Sequence, residues 1–575
     1  MWMAEIPVFV PFFVAAAVAL VTRGPLRSVL MLAIIAVSGL HLWLVPAGIE
    51  VRVSFMEYEL IPYRVDGLSL AFGYVFHIAA FISVLFALHL RDTMQHVWGL
   101  IYAGSALGVI FAGDLLTVFV FWEMLALSSA FLIWARRTDR AFRAGMRYLI
   151  IQVVSGVILL AGTLMYAHSV GDLEFGFIGT GSPAGWLILL AFGIKAAFPV
   201  LHAWIPDAYP EATATGTVFL SAFTTKTAIY MLARGYPGTE WFVYLGAVMA
   251  CFPIFYAVIE NDLRKVLSYS LINQLGFMVC GIGIGTALSL NGTVAHAFVH
   301  VIYKGLLFMA MGTVLHTTGT IRATDLGGLY KTMPFTALFC MIGSASISAF
   351  PLFSGFVAKS MIMSAALYEG HHWVWLALLL ASAGVLDHSG IKIPYFTFFA
   401  HDSGIRVSTV PRNMMAAMAL AAALCLFFGI YPAWLYDLLP FDAVYNPYDL
   451  THVLAQTQLL CFAALAFVYL NLTGIYPPEL VSTNLGAEWL YRKLGRRLIG
   501  AVMSWVRGRD SGLRAAVMKR VNGLMLYLAQ LHYPGGRMAI TRPTGYMVIW
   551  VAILLAAYLW LLLSFPNEMA GSDHH

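Results

Sequence analysis

The sequence FGIKAAFPVLHAWIPDAYPEA, residues 192–212, interrupts an apolar run that is otherwise long enough to span a bilayer. It contains Lys195, Pro199 and His202. Because Pro199 lacks an N–H, the carbonyl of Lys195 loses its helical partner, and an ammonium group should lie beside a freed acceptor. Irregular backbone at membrane depth survives only where it is buried in protein or lines a hydrated cavity. The stretch predicts either an intramembrane ion or proton site, or a proline kink whose lysine reaches the interface.

Composition defines the class of protein. Of 575 residues, 61% are hydrophobic and 11% are charged, which is typical of a polytopic membrane protein. The net charge is +5, but the basic residues lie in loops, so a nucleic-acid partner is not expected. The five cysteines are scattered without a CxxC pair, which argues against disulfides, iron–sulfur ligation and a thiol nucleophile. No sequence pattern for a metal site is visible. With no nucleotide loop or flavin motif either, no cofactor is expected.

Apolar runs of spanning length recur along the chain. We find sixteen, near residues 6–22, 28–48, 67–90, 96–113, 114–134, 144–167, 184–204, 213–234, 241–260, 264–285, 291–316, 335–368, 373–400, 413–436, 453–472 and 545–565. The loops after odd-numbered runs are rich in arginine and lysine, as in the cluster Arg136, Arg137, Arg140 and Arg143. We therefore expect the chain to lie in the inner (plasma) membrane of the cell. By the positive-inside rule these loops face the cytoplasm and the N-terminus lies on the outer side. The first run lacks a basic segment before it, so we interpret it as a spanning helix and not a cleaved signal peptide.

Two short motifs repeat at a spacing close to 150 residues. AAFPVL at 196–201 recurs as SAFPLF at 348–353, and GDL at 113–115 recurs as NDL at 261–263. Both spacings correspond to five helices, and an odd number of helices inverts the second copy in the membrane. The alternative is coincidence among phenylalanine- and alanine-rich runs.

Ionisable residues lie inside several of these runs. They are Glu123, Lys195, Lys226, His296, His300, Lys304 and Lys359, with Lys392 in the polar stretch DHSGIKIPY and His202 beside Pro199 as weaker candidates. The residues at 296, 300 and 304 keep an i, i+4, i+8 spacing, so they should stack on one helix face with about 6 Å between steps. This spacing suits proton relay through water. A structural role remains an alternative for Lys392 and His202, and is favoured for Asp207 as a helix cap or an acid of the loop.

Longer strings resemble a known family. The WE pair at 122–123, LHAWIPDAYPEA at 201–212, ENDLRKVLSYSLINQLG at 260–276, the stretch 296–304 and PLFSGFVAK at 351–359 are similar to the antiporter-like subunits of respiratory complex I and of Mrp sodium/proton antiporters. The resemblance covers roughly residues 65–400. The chain departs from the family at TATG, 213–216, which could change the cap of the eighth helix, and at 387–394.

The resemblance implies an all-α fold with a core of about fourteen helices, two inverted five-helix repeats and broken helices. It also implies a hydrated charged axis at mid-membrane. In this axis, Glu123 and Lys195 form a pair whose separation modulates the proton affinity of the lysine. The resemblance further implies that Lys226, His300 and Lys304 relay protons and that Lys359 ends the axis. The implied domains are N-terminal helices (1–95), two half-channel repeats (96–260 and 261–400), C-terminal core helices (401–476), a lateral arm (477–543) and a terminal transmembrane anchor (544–575).

The arm at 477–543 is basic and patterned for a membrane surface. Trp489, Leu490, Leu494 and Leu498 recur at helical spacing opposite arginine and lysine, which predicts an interfacial amphipathic helix on the cytoplasmic side. We expect GRDSG at 508–512 and YPGG at 533–536 to break it. The arm resembles the lateral helix of the largest antiporter-like subunit of complex I, and a surface helix that binds only anionic lipid is the alternative.

These observations favour a membrane subunit that moves H+, in exchange for Na+ or another monovalent cation in the antiporter form. A redox-driven proton pump in a complex I-like or hydrogenase-like complex is the alternative, because both use the same axis. Other membrane subunits are the expected partners, and the chain is not expected to catalyse chemistry of its own. Two further classes stay open: an inert scaffold subunit, and a lipid-linked transferase with Glu123 or His300 as base.

The topology can be tested by labelling. A cysteine placed in the 136–143 loop should react with an impermeant maleimide only from the cytoplasmic side, because arginine-rich loops are retained there. One placed just after Asp442 should react only from outside. Reversed labelling would contradict the assignment.

Overall fold

Helices make up most of the computed structural model of the protein, which describes residues 6–442, 444–477, 479–480, 484, 486, 489, 491–532 and 544–564. The chain divides into two units, residues 1–488 and 489–575. In the first unit the helices are α1 Val10–Val21, α2 Gly24–Leu44, α3 Gly67–Ala87, α4 Thr93–Phe111, α5 Leu115–Trp134, α6 Asp139–Val170, α7 Pro183–Lys195, α8 Trp204–Ala208, α9 Ala214–Ala222, α10 Thr224–Gly235, α11 Trp241–Ile259, α12 Leu263–Ile284, α13 Ala287–Thr318, α14 Pro334–Ile347, α15 Ser354–Tyr368, α16 His372–Phe399, α17 Arg412–Ile430, α18 Pro432–Tyr436 and α19 Leu450–Leu472.

Eleven helices in the described part of the chain are long and apolar enough to cross a membrane. The multi-pass membrane character predicted from composition is therefore confirmed. A two-stranded antiparallel hairpin, β1 Glu50–Phe55 and β2 Tyr58–Arg64, joins α2 to α3 and was not predicted.

The centre of the first unit is formed by α12 and α13. In each, 94% of the most apolar stretch is buried, against 11% in α19. These central helices nevertheless carry amide, hydroxyl, imidazole and ammonium groups, including Asn273, Gln274 and Lys304, all of which are buried. Apolar side chains such as Val154 and Leu164 are exposed on the outer helix α6. The interior thus holds polar groups among its apolar side chains, whereas the outer surface exposes apolar side chains, as is expected in a bilayer.

Helices α11 and α12 pack backbone against backbone. A Cβ added to Gly276 would lie 2.3 Å from the amide nitrogen of Ala250, and one added to Gly246 would lie 2.5 Å from that of Cys280. Small residues permit such close approach, which is a common basis for helix association in membranes. Asn273 donates to the carbonyl of Ala250 at the same contact.

The repeat predicted from the sequence is present in the backbone. Ala197 and Val200 have φ of 61° and 72°, and Ala349 and Leu352, at the matching positions, have 57° and 72°. The amide of Phe198 donates to the carbonyl of Gly193, and that of Phe350 donates to Ala345, both at 3.0 Å. Each motif is the break that separates α7 from α8, or α14 from α15.

The shorter motif also repeats its geometry. Asp114 caps α5 and forms an isolated β-bridge with Glu174, while Asp262 caps α12 and forms one with Arg322. Coincidence of short motifs does not explain shared left-handed backbone and shared bridges. Five spans separate the two caps, as the inverted repeat requires.

The structure refines the interpretation of the sequence at four places. The run 335–368 is two helices, α14 and α15, and the run 213–234 is interrupted at Phe223 between α9 and α10. The polar stretch 387–394 does not end its helix, because π turns at Leu386–Ile391 and Tyr395–Phe399 carry α16 through it. The departure at 213–216 keeps its cap, since the Thr213 hydroxyl accepts from the amide of Gly216 at 2.9 Å.

The second unit contains α20 Arg496–His532, preceded by a π turn at Tyr491–Gly495, and α21 Thr544–Ser564. The prediction that 508–512 breaks the arm is wrong, because α20 continues through it. Each glycine costs only about 1 kcal/mol in a helix. The Asp510–Arg514 ion pair, 3.0 Å, and the Arg509 guanidinium 4.1 Å from the Trp505 ring stabilise this turn. The predicted break at 533–536 lies outside the described residues.

The strained break offers a test of stability. Val200 is 67% exposed in the left-handed region, where a side chain costs roughly 1–2 kcal/mol. Glycine loses about 0.5–1 kcal/mol more backbone entropy on folding, which is less than the strain that it relieves. Val200→Gly should therefore raise the thermal midpoint of the detergent-solubilised protein. The control Val154→Gly, at a 47% exposed position inside α6, should lower it. A drop for Val200→Gly equal to that of Val154→Gly would contradict the strain argument.

Candidate functional site

Two buried lysines in the first unit, Lys226 and Lys359, lie at interruptions of helices. The ammonium of Lys226, at the start of α10, donates to the carbonyl of Ser221 near the end of α9 at 2.6 Å. The ammonium of Lys359 on α15 donates at 2.8 Å to the carbonyl of Ile347, the last residue of α14. Carbonyls at a helix C-terminus lack intrahelical donors and carry the negative end of the helix dipole. These two ammonium groups are therefore held by backbone dipoles and not by carboxylates.

Lys195 is the last residue of α7, and its partner lies on another helix. Its ammonium donates at 2.8 Å to the carbonyl of Trp122 on α5 and lies 4.0 Å from the centroid of the Trp122 ring. The expectation that this ammonium lies beside the carbonyl freed by Pro199 is thus replaced by a contact across to α5. The indole contributes a cation–π interaction.

Glu123 follows Trp122 directly and faces α6. Its Oε1 is buried without a hydrogen-bond partner among the described protein atoms, and no direct ion pair joins it to Lys195 in the described part of the chain. A Cβ on Gly156 of α6 would lie 1.4 Å from this oxygen. The glycine therefore makes the space that the carboxylate occupies beside Lys195.

His296, His300 and Lys304 stack along α13, one of the two most buried of the candidate membrane-spanning helices in the described part of the chain. His296 Nε2 lies 3.0 Å from both Gln274 Oε1 and the hydroxyl of Tyr303. The ring centroids of His296 and His300 are 6.1 Å apart. Both ring nitrogens of His300 and the ammonium of Lys304 have no hydrogen-bond partner among the described protein atoms. These groups provide proton donors and acceptors that protein contacts leave unused.

The two weaker candidates have different surroundings. The ring of His202 lies 4.6 Å from that of Phe252, and its Nδ1 has no partner among the described protein atoms. Lys392 is fully buried and donates to the carbonyls of Val258 and Glu260 at the end of α11, and it pairs with Glu479 at 2.8 Å. Lys392 is therefore saturated with acceptors and ties the segment after α19 to the core.

The break after α7 is clamped by arginines. Asp207 is not a helix cap, because it accepts two bonds from Arg147, at 2.7 and 2.8 Å. Arg140 pairs with Glu211 at 2.6 Å, and Arg264 donates to the carbonyl of Ala212 at 3.0 Å. Bidentate and backbone contacts of this kind fix the turn between α8 and α9.

Sequence reasoning missed Gly156, Glu479 and a pair at the start of α19, Asp449 and His452. The carboxylate of Asp449 contacts His452 Nδ1, and the DLTH spacing at a helix start, after an acidic loop, could have indicated this pair. Nothing in the sequence alone links Glu479 to Lys392. No group of three or more His, Cys, Asp or Glu is arranged to hold a metal among the described residues.

Residues 112–384 match the transmembrane family described as NADH:quinone oxidoreductase/Mrp antiporter. The match covers just under half of the chain, and it confirms the resemblance seen in its residues.

Hydrogenase-4 component B of Escherichia coli K12 is 26% identical over 441 residues, which are 68% of this chain and 66% of that protein. One of the Na+/H+ antiporter subunits of Alkalihalophilus pseudofirmus is 30% identical over 421 residues, 64% of this chain and 52% of that protein. This chain thus spans just under two thirds of the first relative and about half of the second. A chain of the Mrp complex from Dietzia sp. DQ12-45-1b superposes with a TM-score of 0.68 at 21% identity, covering 81% of this chain and 99% of that one. The likeness confirms the antiporter-like membrane fold.

The anchoring role of Lys392 can be measured. Lys392→Met should lower the free energy of unfolding by about 3–5 kcal/mol, because it leaves Glu479 buried without its partner. The control Lys331→Met removes an ammonium that pairs with Asp402 where both side chains are exposed, and it should leave the thermal midpoint near that of the wild type. Equal midpoints for the two variants would contradict the anchoring role.

Proposed function

We propose that the chain is a proton-translocating, antiporter-like subunit of a multi-subunit membrane complex. The observation that carries this proposal is the series of buried ammonium and imidazole groups at helix breaks and along α13. The proposed path comprises Glu123, Lys195, Lys226, His296, His300, Lys304 and Lys359. Intramembrane ionisable groups are expensive and by default mark ion or proton pathways.

The way these groups are held supports proton transfer. An ammonium that donates to a backbone carbonyl, as in Lys226 and Lys359, can exchange a proton without breaking an ion pair. Since His300 and Lys304 lack protein partners among the described residues, water must satisfy whichever form is charged. Isolated charges in the interior would be far too costly for a passive role.

Glu123 is the acid that drives the first step. Movement of its carboxylate toward or away from Lys195 changes the stability of the ammonium, because an opposite charge within a few Å favours the charged form. Lys226 and the α13 groups relay the proton, and Lys359 ends the series. Lys392, saturated by carbonyls and Glu479, stands outside the path as an anchor. His202 borders the path at the α7 break.

The cellular setting follows from the family and from the charges. We place the chain in the inner membrane with its N-terminus outside and its arginine-rich loops and basic arm in the cytoplasm. Other membrane subunits are its partners, and α20 binds anionic lipid through its arginines. Exchange of H+ for Na+ or another monovalent cation is the form that the antiporter relatives favour. The hydrogenase relative favours the redox-driven form, in which partner subunits supply the energy.

The path is tested by removing its first pair. Glu123→Gln and Lys195→Ala should each abolish coupled proton flux, measured by dye quenching in proteoliposomes of the purified complex, with subunit stoichiometry unchanged. Glu59→Gln, on the exposed hairpin, is the matched control and should transport normally. Wild-type flux in either variant of the pair would overturn the path and favour the scaffold alternative.

A subtler variant tests the geometry without removing a charge. Gly156→Ala displaces the Glu123 carboxylate, and a misplacement of about 1 Å can reduce rates by on the order of 100-fold. Gly305→Ala, on α13 where an added Cβ meets nothing within 4 Å, is the control and should retain wild-type flux. Equal flux in the two variants would show that the position of Glu123 is not critical.

A further inference from the structure

A short series of polar groups begins at the start of α19. Asp449 caps this helix, accepting from the amide of His452 at 2.9 Å, and its carboxylate also contacts His452 Nδ1. The other ring nitrogen, Nε2, lies 3.0 Å from the hydroxyl of Ser364 on α15. That hydroxyl lies 3.2 Å from the hydroxyl of Tyr445. A carboxylate, an imidazole and a hydroxyl are thus linked in order.

The series runs from the surface to the interior. The side chains of Asp449 and His452 are 42% and 32% exposed, whereas Ser364 and Lys359 are 4% and 2% exposed. Asp449 follows the acidic loop after α18, on the side of the membrane opposite to the arginine-rich loops. The outer end of the series therefore reaches solvent, and its inner end lies near the last lysine of the proposed path.

A cavity of about 160 Å³ connects the two ends. Lys359, Ser360, Ser364, His452 and Gln456 contribute to its lining. Water occupies roughly 30 Å³ per molecule in the liquid, so this space can hold several molecules that bond to these polar groups. Gln456, one turn after His452 on the same face of α19, donates to the carbonyl of Ser348 at 3.1 Å.

Helix capping alone does not account for this arrangement. A cap explains the bond from the amide of His452 to Asp449, but not the second ring nitrogen directed at Ser364 and the cavity. The amide and imidazole of His452 hold the pKa of Asp449 below its usual range, so the carboxylate stays negative. The contact with Asp449 at Nδ1 also fixes the orientation of the ring, so that Nε2 is directed at Ser364.

We propose that Asp449, His452 and Ser364 form the gate through which protons pass between Lys359 and the solvent on the side where α19 begins. This inference rests on the proposed function and names the outer end of its path. For release, an N–H bond of the Lys359 ammonium breaks and the proton passes through cavity water. A new bond forms at His452 Nε2, giving an imidazolium that is paired with Asp449. Loss of a proton to solvent restores the neutral ring, and uptake is the reverse.

The gate is tested in the intact complex, reconstituted in liposomes. His452→Ala should reduce proton flux by about 100-fold or more, the lower end of the range for loss of a proton-transfer group. Imidazole added on the side where α19 begins should restore part of the flux. His372→Ala, at an exposed histidine that begins α16, is the control and should transport as the wild type does. Ser364→Ala should slow flux less than His452→Ala, because water can replace a hydroxyl.

A second variant separates proton transfer from structure. His452→Gln keeps a hydrogen-bonding side chain beside Ser364 but cannot carry a proton, so it should lose flux at unchanged subunit stoichiometry. Wild-type flux in His452→Gln, or a change only in the cation concentration that half-saturates flux, would overturn the gate. Loss in His452→Ala that imidazole does not relieve would also overturn it. If the wild-type complex moves no protons, the proposed function itself fails.

Discussion

A backbone carbonyl released inside a membrane must find a donor, and this requirement shapes the centre of the protein. Two helices are broken by a Phe-Pro motif, and another is interrupted at Phe223. Lipid offers no hydrogen bond, so each freed carbonyl has to be satisfied by the protein or by water. Lysines meet part of this need at Ser221 and Ile347. The same contact stabilises the fold and holds a buried ammonium group at the interruption.

The rest of the arrangement follows from holding cations by dipoles. A helix C-terminus supplies about half a negative charge, enough to hold an ammonium but not to fix it as a carboxylate would. A lysine that is fully neutralised, like Lys392 with Glu479, becomes a structural anchor instead. Glu123 is positioned by the space at Gly156, so one acid can act on Lys195 without forming a permanent pair. The number of acceptors thus distinguishes Lys392 from the lysines of the proposed path.

Local signals predicted more of this structure than long-range ones. Prolines, the repeated Phe-Pro motif and the helical spacing in α13 identified the breaks, the duplication and the stacked imidazoles, because each signal lies within a few residues. The partners Trp122 for Lys195 and Glu479 for Lys392 come from distant segments, and no local pattern specifies them. The continuity of α20 through 508–512 was missed because side-chain pairs across the turn offset the glycines. The π turns of α16 have no sequence signature that a single chain reveals.

The two breaks share a backbone but not a charge pattern. In the register that aligns Ala197 with Ala349, the position of Lys195 is taken by Ile347, and that of Lys359 by Asp207. The first copy therefore carries its cation before the break and an anion, bound to Arg147, after it, while the second carries only a cation, after the break. The charges around the two breaks therefore do not follow the symmetry that relates the two folds. A duplicated scaffold has become a directional one, in which the two breaks present chemically different turns.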